Sequence, residues 1–428
     1  MRKIGIVTVG RSDLATFTPV IERILEREDL QLLLYVSGAH LSPEFGSTAM
    51  EIAQKGWKVA DFIEIGLSSD TPQAMAKALG LGVLSFAQVF SRRRPDILMV
   101  IGDRFEMLAA VQAAMPFNIP IAHIHGGDTT EGSIDEAIRH SITKMSHLHF
   151  AATEQYGTRI LQMGEEHWRV IVTGSPSLDN LFRTERQSKE SVEEALGIKY
   201  VDPLIMSTFD PVTLEYRDTQ YHIDEMLNVL RKHLGTVVLT YPEADTSGRV
   251  VINAIQEFAS EDPDHRVMAK RLGTSMYYSL LSSAAAMVGN SSSGLIDAPF
   301  FKLPVVNIGN KQNGRVKADN IIDCGYGSAD IEVALATALS EKFRSGLKNM
   351  KHPYGIGKSA QTIVDVVASV PIDQALIVKK FQDQSMQEAA KVKVWIEGQN
   401  AAGSVKPDVP PGCLSETHAP VDVGKFLR

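Results

Sequence analysis

Two doubly wound α/β units in tandem, each built on a parallel sheet, form the architecture the sequence predicts. Short β-rich runs alternate with helix-like segments through both halves of the chain, the pattern of strands joined by helical crossovers. Most of these runs lack in/out alternation, as strands covered on both faces do. A length of 428 residues is that of about two domains with room for an appendage.

In the first half the predicted strands are Lys3–Val9, Gln31–Val36, Asp96–Ile101, Ile119–Ile124, His147–Ala152 and Val170–Thr173. Between them Thr18–Arg27 and Phe105–Ala114 read as amphipathic helices, the former with Thr18 as N-cap and Pro19 at the first helical position. The chain turns polar and charged near Arg183–Glu190, and a capping box at Ser191–Glu194 starts a helix that Gly197 stops. The first domain is accordingly residues 1–185 and the second 186–370. A second strand series follows at Leu204–Ser207, Thr236–Thr240, Arg266–Ala269, Ala286–Val288 and Val305–Ile308. Residues 371–428 read as an extension, helical over Lys379–Ile396 and then a mobile tail rich in Gly, Pro and Ser. Ligands of such sheets sit at the carboxyl ends of strands, so the cleft between the two units is the expected site.

Composition removes several function classes. A hydrophobic share of 44% and a charged share of 22% rule out global disorder. The formal charge of −8 without a basic tract argues against a nucleic-acid binder, while a local cationic pocket for a phosphate ester remains open. Two cysteines, Cys324 and Cys413, cannot build a disulfide framework or a cysteine zinc site. The opening apolar run is too short for a signal peptide, and no apolar run approaches the roughly 20 residues of a spanning helix. A cytoplasmic protein with no membrane partner is expected.

Four segments carry the polar chemistry. Gly10-Arg11-Ser12-Asp13 follows the first strand; such a turn aims backbone N–H groups and a guanidinium at an anion, or is a plain turn with a solvated arginine. Asp103 and Arg104 end another strand at the cleft mouth, where Asp103 could instead cap the next helix. The densest run, His123 to His140, holds three histidines and four carboxylates. There His123 and His125 share one side of a strand end, and Ile134, Ile138 and Ile142 make the buried stripe of a helix. Asp135 and Arg139, four apart on that helix, are expected to pair. His125 or Asp128 opposite Asp135 supplies two proton-transfer groups around a ligand. A His-x-His zinc site is the rival reading, without the helical His-x-x-x-His that usually accompanies it. Lastly, Ser291, Ser292 and Ser293 begin a helix and cradle a diphosphate, with Asp297 suited to a ribose diol and Lys311 and Arg315 to phosphate charge. A simple serine cap would explain one of the three serines.

These residues resemble the hydrolysing UDP-N-acetylglucosamine 2-epimerases of sialic-acid and related nonulosonic-acid biosynthesis. The matching stretches are Gly10–Asp13, Ser37–Leu41, Gly102–Phe105, Gly126-Gly127 through Asp135–His140, Pro211–Glu215, Gly289–Gly294, and Asn307–Gly309 through Gly314-Arg315. The resemblance implies a GT-B fold, a nucleotide-sugar substrate held mainly by the second domain, and a homodimer. It implies no nicotinamide or metal. It also implies a two-step reaction: a base removes the sugar C2 proton as the nucleoside diphosphate leaves C1, and water adds to the resulting glycal to give the 2-epimeric free sugar.

Carried over residue by residue, the resemblance puts Asp103 and Asp135 at the reacting sugar. His125 stands where many members carry a glutamate, and either it or Asp128 is the base. Arg11 and Arg104 face the diphosphate from the first domain; Ser291 and Ser292, with Ser293, hold it from the second, and Asp297 lies on the ribose. His40 and Thr213 fall in matching stretches and join the binding set. Four positions depart from the family's usual residues: Asp210 replaces a histidine, Glu243 an asparagine, Asp297 a glutamate and Lys311 an arginine. Carboxylates near the nucleotide suit the N1–H and amino group of guanine, so a GDP-sugar stands beside UDP-N-acetylglucosamine as a substrate. Two further readings are a GT-B glycosyltransferase using an acceptor in place of water, and a nucleotide-sugar-binding protein that has lost turnover through Asp210 and Glu243.

Overall fold

A computed structural model describes residues 1–42, 49–66, 69–242, 245–269, 272–355 and 357–383. Seven strands make the first sheet: β1 (Arg2–Thr8), β2 (Leu30–Ser37), β3 (Val59–Ile63), β4 (Ile97–Ile101), β5 (Ile121–Ile124), β6 (Leu148–Ala151) and β7 (Val170–Val172), in the order β3-β2-β1-β4-β5-β6-β7. Six make the second: β8 (Ile205–Thr208), β9 (Val237–Thr240), β10 (Arg266–Ala269), β11 (Ala286–Gly289), β12 (Val305–Ile308) and β13 (Ile321–Cys324), in the order β10-β9-β8-β11-β12-β13. Every strand pairing among the described residues is parallel. In each sheet the winding reverses beside its first strand, between β1 and β4 and between β8 and β11, where a crevice opens for a ligand.

Every central strand is legible in the sequence, as are the edge strands β7 and β10. β4, Ile-Leu-Met-Val-Ile, is buried along its whole length, as a strand covered by helices on both faces must be. The two strands absent from the sequence expectation, β3 and β13, are edge strands. They are half-exposed and carry Asp61 and Asp323 in place of an apolar run.

Two helix starts differ from expectation. The first helix runs Arg11–Leu25 rather than beginning at Thr18, because the Asp13 carboxylate takes the backbone N–H groups of Val9 (2.8 Å) and Gly10 (2.6 Å) and so nucleates the turn a full two turns earlier. Pro19 then lies inside the helix, where it cannot donate to the Ala15 carbonyl; the Asn180 amide donates to that carbonyl instead. The later helix is Lys189–Leu196, capped by Ser188 Oγ on Ser191 N–H (3.3 Å), so Ser191 is helical and not the cap. Gly197 does end it, in the left-handed conformation.

Helix Pro72–Arg92 amends the expectation about apolar length: an 18-residue stretch within its 21 residues reaches a mean hydropathy of 1.4 through many Ala, Gly and Leu residues rather than one unbroken apolar run. It buries Ala78, Gly82, Phe86, Val89 and Phe90 in the first core and leaves Leu81 and Leu84 exposed. The chain also returns on itself. Helix Ser359–Ser369 contributes Ala360, Ile363, Val364 and Val367 to the core of the first sheet, and Arg2 donates to the Val367 and Ala368 carbonyls at 2.7 Å. A further core joins Ala151, Tyr156 and Ile160 of the first sheet's layer to Met206, Val238 and Met287 of the second. Of the helix expected over Lys379–Ile396, Lys379–Asp383 is not helical and the rest lies outside the described residues.

Candidate active site

A cavity of about 370 Å³ lies where the carboxyl ends of the two sheets meet, in the size range of small-molecule sites. Arg11, Asp103, Arg104, His125, Asp128 and Asp135 line it from the first sheet, and Asp210, Ser291, Ser292, Ser293, Asp297, Lys311 and Arg315 from the second.

The first-sheet wall is a knot of carboxylates and guanidiniums. Arg139, fully buried on helix Asp135–Met145, does not pair with Asp135. It donates to the Asp103 carboxylate, to Thr130 Oγ1 (3.1 Å) and to the His125 carbonyl (2.9 Å). Arg139 points back under the loop because the close turn at Gly126-Gly127 brings residues 125–130 over it. Gly127 has a φ of +76°, and a Cβ there would collide with the Tyr156 carbonyl, so only glycine fits. Asp103 is therefore not a helix cap; Arg104 occupies that position. Burial pushes Asp103 toward its neutral form, but Arg139, Arg315, Arg104 and Lys311 together hold its carboxyl below the usual range. Asp135 goes the other way: burial first, then the charges of Asp103 and Asp245, push it well above the ordinary carboxylate value against Arg104 and Lys311. Two carboxylates thus share one wall with opposite protonation preferences.

His125 sits in the left-handed region, φ +61°, a strained conformation for a residue with a Cβ. Its Nδ1 lies 3.3 Å from Asp128 Oδ2 and its Nε2 lies 3.0 Å from Ser175 Oγ. Burial disfavours the Asp128 anion, yet the His125 hydrogen bond and the charges of His125, Arg139 and Arg315 keep its carboxyl below normal. An ionised Asp128 accepts from Nδ1–H, which leaves Nε2 as the basic nitrogen. His123 has other surroundings: it bonds the Gly102 carbonyl (2.8 Å) and Thr143, and burial lowers it to about 3. The two histidines do not converge, and among the described residues no cluster of three or more His, Cys, Asp or Glu could hold a metal ion. Ile134 is exposed rather than part of the helix's buried stripe, which retains Ile142.

The second-sheet wall is made of hydroxyls. Gly289, at the end of β11, lies so flat on the Thr208 carbonyl that a Cβ would overlap it, and this places Ser291–Ser293 directly above the sheet. Ser293 donates to Asp297 Oδ2 (2.7 Å) and accepts from the Tyr277 hydroxyl (2.6 Å). Burial raises Asp297 to about 6, opposed by hydrogen bonds from Ser293 and Ser177. Lys311 pairs with Asp210 at 3.3 Å, and Asp210 is further fixed through Asn290, which exchanges two hydrogen bonds with its backbone. Arg315 crosses the cleft to the Thr129 carbonyl (2.7 Å) and Thr130 Oγ1 (3.2 Å).

Matches with known proteins show the family and the fold. A family model described as UDP-N-acetylglucosamine 2-epimerase covers residues 22–368. The chain belongs to the UDP-N-acetylglucosamine 2-epimerase family. It is 37% identical over 344 residues to a GDP/UDP-N,N'-diacetylbacillosamine 2-epimerase (hydrolyzing) of Campylobacter jejuni, covering 80% of this chain and 89% of the relative. It is 32% identical over 380 residues to a UDP-N,N'-diacetylbacillosamine 2-epimerase (hydrolyzing) of Legionella pneumophila, covering 89% and 99%. The crystal structure of a UDP-GlcNAc 2-epimerase from Neisseria meningitidis bound to UDP-GlcNAc superposes with a TM-score of 0.73 at 20% identity, over 86% of this chain and 100% of that one. The fold is the GT-B arrangement of two parallel-sheet α/β domains.

Within this 2-epimerase family member, two residues expected at the site stand apart from the cavity. His40 is buried behind it, its Nε2 2.8 Å from the Thr8 hydroxyl, which in turn donates to Asp13 (2.7 Å). Thr213 faces the first sheet's side at Ser133 Oγ (2.7 Å) and Ile134 N–H (2.9 Å), and so stitches the two domains beside the cavity. Glu243 lies outside the described residues. Residues that sequence reasoning passed over are Asp13, Ser175, Ser177, Asp245 and Tyr277. Asp13, the last residue of the Gly10–Asp13 turn, is buried among Thr8, Val9 and Gly10, and burial raises it to about 7. Ser175 and Ser177 sit in Gly174-Ser175-Pro176-Ser177, a glycine-bounded run following β7 that gave the one available signal.

Proposed function

We propose that this protein is a hydrolysing nucleotide-sugar 2-epimerase whose substrate is a nucleoside-diphosphate 2-acetamido sugar. The first choice of sugar is the 2,4-diacetamido-2,4,6-trideoxy sugar named in its 37% and 32% identical relatives, and UDP-N-acetylglucosamine is the second. The observation that carries this reading is the split between Asp103 and Asp135, one carboxylate held ionised and its neighbour held protonated on the wall opposite the serine cradle. A reaction that returns a proton to C2 while positive charge develops at C1 needs that pairing, a neutral acid beside a fixed negative charge.

In the proposed mechanism Ser291 and Ser292, with Arg11, hold the diphosphate, and Asp297 bonds the ribose. His125, oriented by Asp128, removes the C2 proton through Nε2 while the C1–O bond breaks and the nucleoside diphosphate leaves with the bonding pair. Water then adds its oxygen to C1 of the glycal as Asp135 returns a proton to C2. The proton left on that water restores Asp135, and the proton on His125 passes to solvent. The sum is nucleotide sugar plus water giving nucleoside diphosphate plus the 2-epimeric sugar. Asp103, fixed by Arg139, supplies negative charge beside the reacting carbons.

The Asp210–Lys311 pair makes the GDP form a substrate to be assayed beside the UDP form, because a carboxylate can accept from guanine. The proposal includes a cytoplasmic homodimer; light scattering at twice the 46.8 kDa chain mass supports the dimer and a single-chain mass removes it. The deciding assay is the release of nucleoside diphosphate together with free 2-epimer from one of these sugars. Turnover that requires an added acceptor would favour a glycosyltransferase instead.

A further inference from the structure

Asp245 belongs to the second domain, in the loop after β9, and does not line the cavity. It is nevertheless buried and ion-paired with Arg104, which follows β4 of the first domain and also faces Glu106 at 3.5 Å. Its other oxygen, Oδ2, is buried and has no hydrogen-bond partner among the described residues. A carboxylate stripped of water and only half compensated is costly unless its charge is used on its one strong partner.

The loop is tied down from the first domain as well. Asp70 accepts from Ser247 N–H through its carbonyl (3.4 Å) and from Arg249 N–H through Oδ2 (3.1 Å), at the start of helix Gly248–Glu261. Ser247 precedes that helix with a φ of +66°, and its own hydroxyl is turned away to the Tyr216 carbonyl at 3.2 Å, so it gives the helix no side-chain cap. The cap comes from the other domain.

On the 2-epimerase reading above, we infer that Asp245 is a positioning residue that completes the acid–base site from across the cleft, clamping Arg104 beside the Asp103–Asp135 pair when the two domains are together. The groups bearing on Asp135 come from four places: Asp103 and Arg104 after β4, Asp245 after β9, Lys311 after β12, and the Ser133 hydroxyl at 2.8 Å. Removing the charge of Asp245 deletes one repulsion and frees Arg104 to attract. Both changes make Asp135 a stronger acid, so the proton it must deliver is lost at lower pH.

The test is a ¹³C-aspartate NMR titration of the ligand-free full chain, with the Asp135 signal assigned by its loss in Asp135→Asn. Asp245→Asn should lower the Asp135 midpoint by about one pH unit, and Asp245→Glu, which keeps the charge, should restore most of it. Asp70→Ala loosens the anchor without touching the cavity and should move the midpoint part of the way. It also carries the test if Asp245→Asn does not fold. An unmoved midpoint in folded Asp245→Asn, or in Asp70→Ala if that variant alone folds, overturns the inference. In the active enzyme the basic limb of the kcat profile should shift with the midpoint. A parent protein inactive on every sugar nucleotide but showing the midpoint shift would sink the epimerase reading and keep the clamp. An active parent with an unmoved midpoint would do the reverse.

Discussion

The two walls of the cleft are built from the same topology and opposite chemistry. On the first sheet, charged groups interlock: Arg139 on Asp103 and Asp128 on His125, with Arg104 held by Asp245 from across the cleft. On the second, hydroxyls predominate, and the paired charges Asp210 and Lys311 cancel locally. Interlocked charges in a recessed site separate the proton affinities of neighbouring groups, which is what proton transfer requires. Hydroxyls and backbone N–H groups bind an anion without shifting its protonation, which suits a leaving group that must be held and then released. On the proposed reading, proton transfer falls to the first sheet and most of the grip on the diphosphate to the second.

The largest test of this division is at the first wall. Asp135→Asn and Asp103→Asn should each lower kcat by about 100- to 10,000-fold with little change in nucleotide binding, checked by steady-state kinetics beside calorimetry. A loss of nucleotide affinity comparable to the loss of kcat would merge the two walls into one. Next in size, Ser291→Ala and Ser292→Ala should weaken nucleoside-diphosphate binding by about tenfold each, the value of one hydrogen bond to a charged group, while leaving the pH profile in place. Asp210→Asn should change the preference between GDP and UDP by several-fold, the direction being loss of GDP binding; equal binding of both before and after removes any base-reading role for Asp210.

The smallest expected effect is on stability. Asp135 holds its proton more tightly folded than unfolded, so its contribution is present below the ordinary carboxylate pKa and is lost as pH rises through the raised value. Asp297, raised to about 6, acts in the same direction between about pH 4 and 6. Asp135→Asn, which mimics the neutral acid, should therefore melt higher than the parent at alkaline pH and equally at acidic pH. A lower melting temperature across the whole range would mean that the carboxylate is structurally required.

Much of the frame was readable from residues alone, for a physical reason. Central strands such as Ile97–Ile101 and Val305–Ile308 are covered on both faces and must be apolar throughout, so their boundaries show in the sequence. The edge strands Val59–Ile63 and Ile321–Cys324 are free of that demand and gave no signal. The early start of helix Arg11–Leu25 was hidden because its cap comes from Asp13 reaching back, while the more conspicuous Thr18-Pro19 lies within the helix. At the site, the resemblance marked the lining residues, but pairings were not legible. Arg139 and Asp135 are four apart on one helix, yet Arg139 is drawn to Asp103 by a loop folded over it. Asp245 was invisible because its partner is 141 residues away in the other domain.

The central claim, proton removal and return at C2 between two differently protonated groups, is tested most directly in D₂O. The purified protein would be incubated with the UDP and GDP forms of N-acetylglucosamine and of the 2,4-diacetamido-2,4,6-trideoxy sugar, and products read by NMR and mass spectrometry. The account predicts free 2-epimer carrying one deuteron at C2 together with an equal amount of nucleoside diphosphate. Product that keeps protium at C2, or binding without any release of nucleoside diphosphate, would contradict it.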